Sequence, residues 1–138
     1  MEKTNRRGAE DTEEGDLREL TGAVIGAAIE VHRILGPGFL EDVYKEALII
    51  ELFRRGIAHE FEKPVTINYK EHEVGTGRLD FLIANCLIVE LKAVQNLTPI
   101  HEAQVLSYLK MTKKPLALLI NFNVPLLKDG IKRIILSS

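Results

Sequence analysis

The stretch RLDFLIANCLIVELK, residues 78–92, decides the fold of this chain. It contains two apolar segments separated by Ala84-Asn85, which we interpret as a tight turn between two strands. Side chains on a strand alternate between its two faces, so Glu90 and Lys92 share one face. If the strands are neighbours in a hairpin, Asp80 of the first strand lies beside them. The sequence therefore predicts three ionisable side chains at one point of a sheet.

Such a cluster needs a physical reason, because charged groups are seldom buried unless they are paired or bind a metal. The carboxylates of Asp80 and Glu90 are hard oxygen ligands that suit Mg²⁺. The ammonium of Lys92 can hold a water molecule or meet a developing negative charge. Together they suit metal-assisted attack on a phosphodiester. A cross-strand ion pair is the structural alternative, and spacing alone does not separate the two.

Four motifs in register resemble a known family. Asp80 followed by Glu90-Leu91-Lys92 resembles the PD-(D/E)xK nuclease signature, with Leu79 in place of its proline. The stretch GFLEDVY, residues 38–44, resembles the GxxExxY signature of a bacterial family in the same superfamily. The runs ELKA, PIHEAQ and LINF follow in that family's order, at residues 90–93, 99–104 and 119–122. The resemblance covers about residues 17–136.

The resemblance implies a metal-dependent nuclease that acts on nucleic acid, with Mg²⁺ or Mn²⁺ as cofactor and 5′-phosphate ends on its products. It carries over no particular substrate, and of the two nucleic acids we predict DNA rather than RNA. It implies a homodimer as the working form. It also implies metal ligands from four residues: Asp80, Glu90, Glu41 and the backbone carbonyl of Leu91. Lys92 would orient or activate the attacking water. Glu41 has a structural alternative, since a carboxylate in the first turn of a helix is favoured by the helix dipole and Lys45 lies one turn later.

The resemblance also implies substrate contacts from helical residues. Gln104 and Tyr108 are four residues apart and share a helix face, and the pair resembles a motif that follows the ExK lysine in several nuclease branches. Tyr44 lies three residues after Glu41 and either forms a hydrogen bond at the site or fills the core. His101 either positions substrate or caps its helix. All four are candidate substrate-binding residues.

The order of elements completes the fold prediction. Apolar periodicity predicts helices over residues 17–35, 40–55 and 100–111, and strands over 58–69, 74–83, 87–93, 116–122 and 131–136. This order resembles a restriction-endonuclease-like α/β fold, a three-layer α/β/α core of order α-β-β-β-α-β with an extra N-terminal helix and a short C-terminal strand. Residues 1–15 are polar and without periodicity, so we predict a disordered tail before a single domain over 16–138.

Composition sets the outer limits. A chain of 138 residues with 46% hydrophobic and 28% charged residues fits one globular domain. No apolar run reaches the roughly 20 residues that span a bilayer, and the N-terminus lacks the apolar segment of a signal peptide, so we predict a cytoplasmic protein without a membrane partner. The formal net charge is −2, whereas nucleic-acid-binding domains are often basic. The charge and the small size leave little surface to grip a long duplex, which favours the alternative of a non-catalytic nucleic-acid-binding or assembly module that retains the nuclease fold. The intact set of Asp80, Glu90 and Lys92 argues against this alternative.

Overall fold

A computed structural model describes the backbone of residues 2–136 and the side-chain environments of residues 15–136. Three α-helices and five strands follow one another in the predicted order, with a short 3₁₀ turn before the last strand. Their bounds are α1 Glu2–Leu35, α2 Glu41–Arg54, β1 His59–Tyr69, β2 His72–Ile83, β3 Leu87–Lys92, α3 Pro99–Thr112, β4 Leu116–Asn121, the 3₁₀ turn Leu127–Gly130 and β5 Ile131–Ile135.

The strands form one sheet in the order β1-β2-β3-β4-β5. Neighbouring strands are antiparallel except β3 and β4, which are parallel and are joined by the crossover helix α3. Apolar side chains of α1 and α2 pack on one face of the sheet, and those of α3 pack on the other. The mixed three-layer α/β/α fold is thus confirmed, and β1 lies at the sheet edge, where its Pro64 is tolerated.

Helix α1 begins much earlier than predicted. Its backbone is helical from Glu2, whereas the prediction placed the first helical residue at Leu17 and a disordered segment before it. That prediction relied on apolar periodicity, which starts only at Leu17. Glu, Lys, Arg and Ala are good helix formers, no proline interrupts residues 2–16, and extending an existing helix is far easier than nucleating one. The division into a tail over 1–15 and a domain over 16–138 stays a prediction.

The alternation of side chains along β2 breaks at Asp80. Phe81 packs with the α1–α2 side of the core, but Leu79 packs with the α3 side. Regular alternation along a strand predicts that residues two positions apart share a face, and this prediction is wrong for Leu79 and Phe81. The reason lies on β1, where Glu62 adopts a left-handed backbone conformation with φ 52°, between the paired residues Phe61 and Lys63. Glu62 lies opposite Asp80 in the register of the hairpin, so its left-handed conformation interrupts the regular pleat at this point.

Only the end of β2 pairs with β3. The ladder between them runs from Ile83↔Leu87 to Phe81↔Val89, and the earlier part of β2 pairs with β1 alone. The β1–β2 hairpin therefore diverges from β3 at Asp80. A gap opens at this point between two strands that are otherwise neighbours, and the candidate site lies there.

Asn121, the last residue of β4, holds the chain that follows β3. Its side-chain oxygen accepts hydrogen bonds from the backbone nitrogens of Val94 (3.0 Å) and Asn123 (3.2 Å), and its amide donates to the Val94 carbonyl (2.9 Å). Asn121 is almost fully buried. Gly130 approaches the same point so closely that a Cβ there would overlap the Asn121 carbonyl oxygen. The position of β3 therefore depends on this packing.

We expect Gly130→Ala to lower the free energy of unfolding by about 1–3 kcal/mol, because the added methyl overpacks the Asn121 backbone. Gly75→Ala is the matched control, since nothing lies within 4 Å of a Cβ at that position. Urea denaturation of both variants measures the difference. Equal stability of the two variants would contradict the close approach at Gly130.

Candidate active site

The carboxylates of Asp80 and Glu90 are bound to each other's strands. The backbone nitrogen of Asp80 donates a hydrogen bond to Glu90 Oε2 (2.6 Å), and the backbone nitrogen of Leu91 donates one to Asp80 Oδ2 (2.8 Å). These bonds continue the β2–β3 pairing one step beyond its last backbone pair. We call this arrangement of Asp80, Glu90 and Leu91 the fork. It fixes both carboxylates relative to the sheet, as the strand register predicts.

Lys45 of α2 also reaches the fork. Its Nζ lies 3.1 Å from Asp80 Oδ1, and both side chains are largely buried, with 6% and 14% of their surfaces exposed. Sequence reasoning placed Lys45 one helical turn from Glu41 as its surface partner and missed this contact. A signal was present, because Lys45 is in line with the buried Leu48 and Leu52 on the core-facing side of α2. A lysine on an apolar helix face needs a buried anion.

The electrostatics of the fork reflect its crowded carboxylates. Burial, and after it the Asp80 carboxylate, raise the pKa of Glu90 to about 8, against the hydrogen bond from the Asp80 backbone nitrogen, which lowers it. Burial and the Asp80 carboxylate also raise the pKa of Glu41, the first residue of α2. Burial alone would lower the pKa of Lys45, but its pairing with Asp80 outweighs burial and raises it. Three carboxyl groups therefore compete for limited positive charge.

An open cleft of about 570 Å³ lies at the fork, between α2, α3 and the β1–β2 hairpin. Most of the predicted site residues line it together: Glu41, Asp80, Glu90, Lys92, Gln104 and Tyr108. The sequence did not single out five other lining residues: Lys45, Pro64, Thr76, Gly77 and Arg78. The cleft thus gathers residues from α2, β1, β2, β3 and α3.

The ring of Tyr108 packs against the backbone of β2. A Cβ at Gly77 would come within 2.7 Å of Tyr108 Cε1 and 3.0 Å of its hydroxyl oxygen, so only glycine allows the ring to lie there. Gly77 lies within β2, inside the strand that was predicted over residues 74–83. The ring of Tyr108 therefore forms a wall of the cleft with its hydroxyl group beside the hairpin.

Tyr44 and His101 do not line the cleft. Tyr44 is fully buried, stacks on Phe122 at 4.6 Å between ring centroids, and donates a hydrogen bond to the Gly36 carbonyl (2.6 Å) while accepting one from the Phe39 nitrogen (3.1 Å). Of its two predicted roles, the structure gives it the one in the core. The backbone nitrogen of Thr98 donates to His101 Nδ1 (3.0 Å), which makes His101 a cap of α3.

The donor atoms at the fork suit a hard divalent cation by their chemistry. Lys92 turns its carbonyl toward β4, where it accepts a hydrogen bond from the Phe122 nitrogen (2.9 Å). Successive carbonyls of a strand point to opposite sides, so that of Leu91 points toward the fork. Among the described residues, however, no group of three or more His, Cys, Asp or Glu side chains is arranged to hold a metal. The Lys45 ammonium pairs with Asp80 instead, so a metal would have to displace it.

A comparison with protein families gives the class of protein. The family model of the PD-(D/E)XK nuclease superfamily matches residues 18–134. The chain therefore belongs to this superfamily, whose members are generally nucleases and typically use divalent metals. Searches of curated proteins and of solved structures found no match. Among the described residues, no helix is both long enough and apolar enough to cross a membrane.

We expect the stability of the metal-free protein to fall as pH rises from about 5 to 8, partly because of Glu90. Its folded-state pKa of about 8 lies above the ordinary value of 4.5. In this window the folded state therefore keeps a proton that the unfolded state releases, which lowers the free energy of unfolding by up to ~1.4 kcal/mol per pH unit. Glu90→Gln cannot ionise, so its stability should depend less on pH.

Urea denaturation in chelator at several pH values between 5 and 8 measures these slopes. Glu73→Gln is the control, because Glu73 is an exposed glutamate of the same hairpin. Identical slopes for the wild type and Glu90→Gln would contradict the raised pKa of Glu90.

Proposed function

We propose that this protein is a Mg²⁺- or Mn²⁺-dependent nuclease that hydrolyses phosphodiester bonds of nucleic acid in the cleft. The observation that carries the proposal is the fork itself, where two largely buried carboxyl groups are each hydrogen-bonded to the backbone of the other's strand in a cleft that Lys92 also lines. A purely structural ion pair does not require a third carboxyl group at the same point, yet Glu41 lines the same cleft. From the resemblance of its motifs we further propose a member of the GxxExxY family that forms a homodimer, and we propose DNA rather than RNA as its substrate.

The metal would be held by Asp80, Glu90, the Leu91 carbonyl and Glu41. When bound, a divalent cation lowers the pKa of a coordinated water and neutralises charge on a phosphoryl oxygen. The protein's part is to hold these donors in place. The hydrogen bonds at the fork do so for Asp80 and Glu90, and the first turn of α2 does so for Glu41.

Lys92 lines the cleft on the strand that carries Glu90, two residues further along. Its ammonium is the candidate group for orienting the attacking water and for stabilising negative charge that develops on the phosphate. Asn121 forms hydrogen bonds with the backbone of Val94, two residues after Lys92. These bonds fix the chain on the C-terminal side of this lysine. Asn121 is therefore a candidate positioning residue.

Gln104 and Tyr108 of α3 form the wall of the cleft opposite α2, so they are the candidate contacts to the substrate. Tyr108 offers a ring face on which a base can stack and a hydroxyl group that can bind phosphate. Arg78 lines the same cleft and is exposed, at 3.8 Å from Glu62. A substrate-binding surface restricted to the cleft is compatible with the net charge of −2 for the whole chain.

We expect the purified protein to cut plasmid or single-stranded DNA in Mg²⁺ or Mn²⁺ and to be inactive in chelator. Asp80→Asn and Lys92→Met should each lower the cleavage rate at least ~100-fold, because each removes a group that acts on the reacting phosphate. Lys128→Met is the matched control, since Lys128 is exposed outside the cleft and should leave the rate unchanged. An RNA substrate in parallel tests the preference for DNA.

The outcomes separate the enzyme from its alternative. Cleavage that persists in Asp80→Asn would contradict the assigned site. Binding of nucleic acid without any cleavage, in every metal tested, would instead support a non-catalytic module that retains the nuclease fold. Band-shift measurements on the same samples provide that comparison.

We expect Lys45→Met to bind Mn²⁺ about tenfold more tightly than the wild type, a difference of ~1.4 kcal/mol. The reason is that the Lys45 ammonium occupies Asp80 Oδ1, so it competes with any cation for that oxygen. Calorimetric titration with Mn²⁺ measures the affinity, with Lys128→Met as control. Weaker binding in Lys45→Met would show that Lys45 supports the metal-bound state rather than competing with it.

A further inference from the structure

Helix α2 carries a second apolar face that is largely exposed in the part of the chain that the structure describes. We call it the outer face. It consists of Val43, Ile50 and Phe53, whose exposed fractions are 39%, 60% and 80%, together with Leu40 just before the helix at 81%. Successive residues of this set are three, seven and three positions apart, and such spacings align side chains along one side of a helix. Contiguous exposed apolar surface of this kind marks an interaction site in many proteins.

The charges on this face are distributed unevenly along the helix. Asp42 and Glu46 lie toward its N-terminal end, and Arg54 is its last residue. All three are exposed, and among the described residues none of them takes part in a salt bridge within the chain. An acidic end and a basic end on one apolar face complement a second copy of the same face that runs in the opposite direction.

We propose that the protein forms a symmetric dimer in which the outer faces of two α2 helices pack antiparallel across a twofold axis. Such an interface is self-complementary, because the same patch serves both protomers. The antiparallel direction brings Asp42 and Glu46 of one protomer toward Arg54 of its partner, whereas a parallel pair would set like charges against each other. Ile50 and Phe53 form the apolar centre. This inference rests on the homodimer included in the proposed function and names its interface, and it does not depend on the proposed cleavage reaction.

The dimer leaves both clefts open. Ile50 follows Glu41 by nine residues, which is about two and a half helical turns, so the two side chains lie on opposite sides of α2. Glu41 and Lys45 face the cleft, and the outer face points away from it. Each cleft is complete within one protomer. Loss of the dimer should therefore leave the cleavage of short substrates unchanged.

The size of the outer face determines how tightly we expect the two protomers to bind each other. A helix of 14 residues is about 21 Å long, and a single helix pair buries less than the ~800 Å² per partner of a standard interface. We therefore expect a dimer with a dissociation constant in the micromolar range. Sedimentation velocity of the full chain between about 1 and 100 μM should show the monomer giving way to the dimer.

Phe53→Gln tests the apolar centre and should raise the dissociation constant at least about tenfold, since buried aromatic residues dominate such interfaces. Val74→Gln is the matched control, because Val74 is 61% exposed on the β1–β2 hairpin and should have no effect. A wild type that stays monomeric at 100 μM overturns the proposal, and so does a Phe53→Gln variant that dimerises as well as the wild type. Circular dichroism checks that both variants fold.

A charge exchange tests the direction of packing. Glu46→Arg and Arg54→Glu should each weaken the dimer several-fold, and the chain that carries both changes should recover the wild-type dissociation constant. Failure of the double variant to recover overturns the antiparallel arrangement. Neither residue lines the cleft, so cleavage assays on the same variants report on the proposed reaction independently. A protein that dimerises but does not cut nucleic acid would contradict the proposed nuclease activity and leave the proposed dimer standing.

Discussion

The exchange of hydrogen bonds at the fork is the interaction on which the site depends. Each strand donates a backbone nitrogen to a carboxylate of the other, Asp80 to Glu90 and Leu91 to Asp80. The carboxyl side chains thereby replace the backbone carbonyls that would satisfy these donors in an ordinary ladder. Removing either carboxylate leaves a buried N–H group without a partner, which costs more than the lost bond itself contributes. The hydrogen bonds that join β2 and β3 at this point therefore also set the positions of the two carboxyl groups of the site.

The sequence predicted the architecture because apolar patterns and turn residues determine it. Continuous apolar runs gave β3 and β4, and Gly36-Pro37-Gly38 marked the end of α1. What the sequence missed has no local pattern. The helix before Leu17 lacks apolar periodicity. The switch of Leu79 to the α3 side follows from a left-handed Glu62 on the neighbouring strand, and a glutamate carries no signal for that conformation.

The candidate site was predictable where strand alternation alone decides which side chains meet. Asp80 and Glu90 meet because register and parity require it. The positions of helical side chains were less certain, because residues three or four apart share a side of a helix but do not point in the same direction. Tyr44 follows Glu41 closely in sequence, yet its side chain is buried in the core and forms hydrogen bonds with the backbone of the loop before α2. Lys45 was the overlooked residue, because a buried ion pair between a helix and a strand is a tertiary contact with no fixed spacing.

The charges in the cleft should couple the binding of a metal to the binding of a phosphate group. With Glu90 protonated and Lys45 paired to Asp80, the metal-free fork carries little net charge and folds without strong internal repulsion. A divalent cation would favour the ionised form of Glu90 and displace Lys45 from Asp80. The released ammonium would still lie inside the cleft, where Lys92 is the other lysine. Binding of the metal would then raise the positive charge available to a phosphodiester, so the two ligands should favour each other's binding.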